Sequence, residues 1–426
     1  MNQIIQPAIG LNGAVRLPGD KSISHRYAML ASIAEGESRL HNYSGGGDCQ
    51  STLNCMQKLG VPIEREENVV TIQGVGLNGL KAPEGDLDAG NSGSTIRMLS
   101  GILAAQPFDT RIGGDESLSR RPMGRIMTPL GEMGARIEAR DGKYPPLLLH
   151  GRQLYPIDYT LPVASAQVKS CVLFAGIFCD GVTTVREPMV TRDHSELALA
   201  EFGAEVSSIK GVISIHGRPK LSGRELAVPG DISSAAFFLV AATLVPNSRV
   251  SIHGVGLNPT RSALLDFLSA GGARIRILQM SEGSRELSGD LLVQSAQWQG
   301  GVLEKSMTAA LIDEIPVLAV LGAASKQGLI VRDAAELRVK ETDRIATIAA
   351  NLKRMGIEIS VRDDGFEIPG RQRFRAAELD SYGDHRIAMA FSVAALIADG
   401  PCTIRDAGAA AVSFPEFFGL LGELSE

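Results

Sequence analysis

The sequence predicts an α/β protein of two similar domains, each holding three repeats with apolar helices inside and strands outside. Three observations carry that prediction. First, a phrase in which helix residues run into Gly and then a strand recurs as MQKLGVPIE (56–64), GEMGARIEA (131–139), AEFGAEVSS (200–208), SAGGARIRI (269–277) and KRMGIEISV (353–361), and GLLGELSE ends the chain. Second, a longer phrase alternates with it: a polar start, an apolar helical stretch, a turn and a β-branched strand. Its starts, near Lys21, Asn91, Ser165, Asp231, Asp313 and Asp384, lie 66 to 82 residues apart, and one sixth of the 426 residues is 71. Third, LPGDKS (17–22) and VPGDIS (228–233) each put Pro-Gly just before an internal helix, as a chain crossing does. Cutting there gives an inserted domain, 18–228, and a discontinuous one, 1–17 plus 229–426.

Each element has a local reason. The glycine of the short phrase follows a helical pattern, where a left-handed C-cap favours a residue without Cβ. A glycine content of 47 residues, above the ~7% average, suggests many tight turns in a repetitive fold. The longer phrase, as in DISSAAFFLVAATLVPNSRVSIHG, has a helix without a polar face, which belongs inside. Its amphipathic partner, such as Asp193 to Phe202, is expected further out.

Composition narrows the function. Net charge is −6 with 21% charged residues, so no overall basic field points to nucleic acid, and any anion site must be local. Five cysteines without CxxC or Cys/His spacing argue against disulfides and zinc, and read as buried small hydrophobes. No signal-like N-terminus and no apolar run of ~18 residues is present, so a cytoplasmic, non-membrane protein is expected.

The helix starts carry the chemistry. Unpaired first-turn N–H groups and the helix dipole make each start an anion site, and Ser22, Ser24, Asn91, Ser92, Ser94, Thr95, Ser165, Ser233 and Ser234 cluster there. Ordinary N-capping explains any single serine. It does not explain the cations beside them: Lys21 and Arg26, Arg120, Arg121 and Arg125, then Arg338, Lys340, Arg344 and Arg386, which suit phosphate or carboxylate. Asp313, Glu314 and Glu341 supply carboxylates that serve as caps or, when desolvated, as bases.

LPGDKSISHR, AGNSGST, SRRPMGR, ASAQVKS, TRDH, LIDEIP, RVKETDR, GDHRIAM and SFPEF, in this order, resemble the 5-enolpyruvylshikimate-3-phosphate synthase (3-phosphoshikimate 1-carboxyvinyltransferase) family over essentially the whole chain. ASAQVKS and TRDH look more like its second class. The resemblance implies two domains of three βαβαββ units each, an inside-out α/β barrel arrangement with the active site in the cleft between them. It implies transfer of the enolpyruvyl group of phosphoenolpyruvate to the 5-hydroxyl of shikimate 3-phosphate, with release of phosphate and no metal or organic cofactor. A monomer with small-molecule substrates, and neither nucleic acid nor membrane as partner, is expected.

Carried over by position, Lys21, Ser22, Arg26, Ser165, Ala166, Gln167, Arg192, Asp313 and Lys340 resemble the shikimate 3-phosphate contacts. Lys21, Asn91, Gly93, Arg121, Gln167, Arg344 and Arg386 resemble the phosphoenolpyruvate contacts. Asp313 and Glu341, with Lys21 assisting, match the acid and base. In the family it resembles, the position of Gly93 borders the pocket shared by phosphoenolpyruvate and the longer inhibitor glyphosate, so Gly93→Ala is expected to weaken glyphosate more than phosphoenolpyruvate. Val412 and Glu336 depart from the first-class pattern, which has lysine and asparagine there. Among rivals, UDP-N-acetylglucosamine enolpyruvyltransferase uses a loop cysteine that GGDESLSRRPMGR lacks, and RNA 3′-terminal phosphate cyclase uses a nucleotidylated histidine, for which the C-terminal half offers only His253 and His385. A noncatalytic repeat scaffold would explain the periodicity but not the acids and cations together.

Overall fold

Five of the six phrase glycines take the left-handed conformation in the computed structural model, which describes residues 1–281 and 284–425: Gly60, Gly134, Gly203, Gly272 and Gly356 have φ of +88°, +95°, +104°, +93° and +78°. Each ends an outer helix and releases the chain into the next strand or extended segment. The repeat is plain in the strand Leu87–Asp88, the inner helix Gly93–Leu103, the strand Thr110–Gly113, the outer helix Gly124–Glu132 and the hairpin Arg136–Arg140 with Tyr144–His150. The first two strands pair in parallel and the hairpin adds two antiparallel strands. Four further sheets have four strands in the same relative order.

The sixth repeat is abbreviated. Glu378–Asp380 and Cys402–Arg405 pair in parallel around the inner helix His385–Ala395, but the third strand is the N-terminal Gln3–Ile5, antiparallel to Cys402–Arg405. Gly422 lies inside the helix Phe417–Ser425 rather than capping one. The phrase GLLGELSE matches the others in composition and not in conformation.

Packing divides the described chain into two compact units, the first made of 1–18, 229–281 and 287–425, the second of 19–228 with 284–286. Each has its own apolar core. In the first, the helices Ile232–Leu244, Ile315–Ala324 and His385–Ala395 touch one another and are buried almost throughout. In the second, Gly93–Leu103 packs on Lys21–Ile33 and on Ala166–Gly176. At Gly101 a Cβ would stand 2.2 Å from the Cys171 carbonyl oxygen, so alanine there would push two core helices apart. All five cysteines are buried and unbridged, as the spacing suggested. No helix among the described residues is long and apolar enough to cross a membrane.

The helix expected over Asp193 to Phe202 spans His194–Glu201, and its polar first turn, His194, Ser195 and Glu196, is buried. It is not a simple amphipathic cover. Those three side chains have partners inside the second unit, described next.

Candidate active site

Polar groups gather at the starts of the inner helices of both units. In the second unit Asp20, Ser92 and Ser165 each cap a helix, accepting from the backbone N–H of Ile23, Thr95 and Val168 at 3.0, 3.0 and 3.4 Å. Ordinary capping is thus one role of Ser165 and Ser92. Lys21 is the first residue of its helix and reaches Asp48 Oδ2 at 3.1 Å, in the first turn of the outer helix Gly47–Lys58. A chain of short bonds, His25 Nδ1 to Thr52 Oγ1, Thr52 to Thr95 and Thr95 to Ser92, 2.7, 2.7 and 2.8 Å, ties the first inner helix to the second. Burial, then Lys21 and Arg26, hold His25 well below its usual pKa, so it works here as a neutral ring.

Arg26 is 3% exposed and donates to Ser195 Oγ at 2.7 Å, Ser170 Oγ at 2.7 Å and the Ser22 carbonyl at 2.8 Å. Burial lowers its pKa to about 10, against the pull of Glu196 and Asp20. It stays charged at neutral pH, with two of its five N–H groups left by these three bonds. Arg192 is half-buried in the segment just before the His194–Glu201 helix. Arg121, 8% exposed, donates to Asn91 Oδ1 at 2.8 Å and Ser117 Oγ at 3.2 Å, while the Asn91 amide donates to Asp115 at 2.7 Å. Arg120 and Arg125 are exposed, so of the three arginines in SRRPMGR the fold turns Arg121 inward. Gln167 accepts from Arg97 Nη1 at 2.7 Å and donates to Ser94 Oγ at 3.0 Å. Gly93 opens its helix and Ala166 opens the next. Lys21, Ser22, Arg26, Asn91, Gly93, Arg121, Ser165, Ala166, Gln167 and Arg192 all belong to this unit.

The first unit brings Asp313, Lys340, Glu341, Arg344 and Arg386 together. Asp313 Oδ1 lies 3.3 Å from Lys340 Nζ and 3.7 Å from Arg344 Nη1. Glu341 Oε2 lies 2.6 Å from Arg344 Nη2, and Asp384 Oδ2 lies 2.8 Å from Arg344 Nε. Arg386 donates to the Asp313 carbonyl at 2.9 Å. Although burial works against the charged form, Asp384 and Glu341 raise the Arg344 pKa above its ordinary value. Burial alone would raise Asp384, yet Arg344 outweighs it and holds the carboxyl below its usual range.

Asp313 and Glu314 are neighbours with different partners. Glu314 occupies the cap position of Ile315–Ala324 without capping it; its carboxylate accepts from Ser233 and lies 3.4 Å from Arg261, both buried. Asp343 is the cap of Arg344–Arg354, accepting from Ala346 N–H at 3.1 Å, which frees Glu341 for Arg344. A cavity of about 380 Å³ lies at the other ends of these inner helices, among Ala8, Leu244, Trp298, Ala324 and Leu396. Its lining has no titratable side chain, in contrast to the helix starts.

The sequence reading missed Asp48, Arg97, Lys169, Ser170, Ser195 and Arg261. Lys169 and Ser170 stand inside ASAQVKS and Arg97 just after AGNSGST, where a charge on an apolar helix was the available signal.

A family model described as EPSP synthase (3-phosphoshikimate 1-carboxyvinyltransferase) matches residues 5–421. A 3-phosphoshikimate 1-carboxyvinyltransferase of Solibacter usitatus is 64% identical over 426 residues, 100% of each chain. A solved EPSP synthase from Acinetobacter baumannii superposes with a TM-score of 0.89 at 41% identity, over 100% of this chain and 98% of that one. The enolpyruvyl transferase NikO of Streptomyces tendae shares the fold, at 19% identity and a TM-score of 0.78 over 99% and 96% of the chains. With the repeat, the clustered helix starts and the full-length match in agreement, the chain belongs to the EPSP synthase (3-phosphoshikimate 1-carboxyvinyltransferase) family.

Proposed function

We propose a division of labour among these residues for the activity of the family, enolpyruvyl transfer from phosphoenolpyruvate to shikimate 3-phosphate in the shikimate pathway. The observation that carries it is the gathering of Asp313 and Glu341 at one guanidinium: Arg344, paired with Asp384 at 2.8 Å, also lies 3.7 Å from Asp313 and 2.6 Å from Glu341. One guanidinium orients both a base and an acid. Asp313 takes the proton of the 5-hydroxyl as its oxygen bonds to C2 of phosphoenolpyruvate. Glu341, with Lys21, delivers a proton to C3 and gives the tetrahedral intermediate. Breaking the C2–O bond to phosphate and returning the C3 proton then yields product. Each proton transfer is worth on the order of 10² to 10⁴ in rate.

Lys21, Ser22, Arg26, Ser165, Ala166, Gln167, Arg192, Asp313 and Lys340 are assigned to shikimate 3-phosphate. Lys21, Asn91, Gly93, Arg121, Gln167, Arg344 and Arg386 are assigned to phosphoenolpyruvate, where guanidinium groups match carboxylate and phosphate. The motifs ASAQVKS and TRDH support a second-class enzyme, and a monomer is part of the reading. Burial of all five cysteines weighs against a cysteine-assisted transfer to a nucleotide sugar. Phosphate release from phosphoenolpyruvate is the test: it should require shikimate 3-phosphate, and release that instead depends on UDP-N-acetylglucosamine would overturn the assignment.

A further inference from the structure

One buried cation has no part in the chemistry above. Lys169 sits on the inner helix Ala166–Gly176, and its side chain is 1% exposed. Its Nζ lies 3.1 Å from Glu187 Oε1 and 2.7 Å from Glu196 Oε1, carboxylates that are 2% and 7% exposed. Burying three charges is costly unless they compensate one another, and removing one partner strands the rest. Glu187 follows the strand Val182–Arg186, and Glu196 is in the first turn of His194–Glu201. The segment between them carries Arg192. Its two ends are thus drawn to one ammonium group, and Thr191 adds a hydrogen bond to Glu187.

The neighbours of these residues extend the clasp. Ser170, next to Lys169, and Ser195, next to Glu196, share a 2.5 Å hydrogen bond, and both accept from Arg26. His194 Nδ1 meets Glu286 Oε1 at 2.7 Å on the other side of the same turn. Glu196 is also the foremost charge acting on Arg26, while burial pushes its own carboxyl pKa up against the pull of Lys169. With Lys169 gone, Glu196 would lose the cation at 2.7 Å, and Arg26, on which it already acts, would be left facing an uncompensated carboxylate.

We propose that Lys169 is a positioning residue: by clamping Glu187 and Glu196 it sets the Arg192 segment and keeps Arg26 available for shikimate 3-phosphate. This rests on the reading that Arg26 and Arg192 bind that substrate. Misplacing a binding group by about 1 Å costs on the order of 100-fold, so the expected effect lies on one substrate.

The test compares Lys169→Met, Lys169→Arg and the milder Glu187→Gln, with Arg192→Ala as control. Hydrogen exchange without ligand reads the clamp: residues 188–193 should exchange roughly tenfold faster in Lys169→Met and Glu187→Gln. Steady-state kinetics read the positioning: KM for shikimate 3-phosphate should rise roughly 10- to 100-fold, KM for phosphoenolpyruvate at saturating co-substrate should change less than about threefold, and Lys169→Arg should recover part of the loss. If Lys169→Met does not fold, Glu187→Gln carries both readouts. Unchanged exchange overturns the clamp. Faster exchange with an unchanged shikimate 3-phosphate KM, or equal losses for both substrates, overturns the positioning role when Arg192→Ala shows its own selective loss. An Arg192→Ala enzyme with normal kinetics would instead remove the binding assignment and with it the proposed purpose of the clamp.

Discussion

Two arginines, each nearly sealed from solvent, are compensated in opposite ways in the two units. Arg344 meets Asp384, Glu341 and Asp313, carboxylates that raise its pKa in spite of burial. Arg26 donates to two hydroxyls and a carbonyl, and burial lowers its pKa to about 10. The difference teaches what each charge is for. On the proposed roles, Arg344 orders the carboxylates assigned to proton transfer, whereas Arg26 keeps a charge that its hydrogen-bond partners do not cancel, as a site for an anionic substrate requires. In the second unit two nearby glutamates are held by Lys169.

The comparison breaks first at Asp313. Asp313→Asn should lower kcat by roughly 10²- to 10⁴-fold while shikimate 3-phosphate binding changes only severalfold, read by stopped assay and calorimetry. Near-normal turnover would mean that the carboxylates around Arg344 are structural and the contrast is one of packing alone.

Next in size is the stability difference between two matched truncations. Arg344→Met leaves three carboxylates without their shared cation and should destabilise the fold by about 3 to 5 kcal/mol. Arg26→Met leaves neutral groups, and Ser170 and Ser195 already bond each other at 2.5 Å, so about 1 to 3 kcal/mol is expected. Urea denaturation decides, and equal losses would contradict the contrast.

A third test uses acid. The Asp384 carboxyl is held below its ordinary 3.8 by Arg344, so its contribution is complete above that pH and disappears as pH falls through the folded-state value. The stability advantage of wild type over Asp384→Asn, about 1.5 to 3 kcal/mol near neutrality, should therefore shrink below pH ~4. An advantage that grows in acid would have the wrong sign for this pairing.

These contrasts depend on distance along the chain, which is also what limited the sequence reading. Local rules exposed the repeats: five C-cap glycines took positive φ, and helices without a polar face went inside. Motif membership singled out Asp313, Glu341 and Arg344 as candidates, and the fold brings them together. It could not say that Asp313 faces Lys340 while its neighbour Glu314 faces Ser233, because that depends on which helix starts meet. Arg97 and Gln167 are 70 residues apart, and Lys169 reads as an anomaly in an apolar helix until Glu187 and Glu196 are brought beside it. The abbreviated sixth repeat was hidden for a related reason: its third strand comes from the opposite end of the chain.

The smallest expected effect is at Gly93, and the geometry changes its argument. Gly93 is not among the glycines with positive φ, so alanine there meets no backbone penalty and loses less chain entropy on folding. Its Cβ would stand 3.1 Å from Arg97 Nη1 and 3.4 Å from Arg121 Nη1, the ends of two flexible side chains. They must give way by a few tenths of an ångström. Arg97 holds Gln167 and Arg121 is bonded to Asn91, so the displacement is passed to residues assigned to phosphoenolpyruvate. Gly93→Ala should fold with an unchanged or slightly higher Tm and raise the phosphoenolpyruvate KM by roughly 3- to 10-fold, about 1 kcal/mol. Glyphosate, the longer ligand, should lose more, since added bulk is felt most where a ligand already fills the space. The ratio of the two losses is the measurement that matters: equal weakening would assign the effect to the moved arginines alone, and a lowered Tm would return Gly93 to a purely structural role.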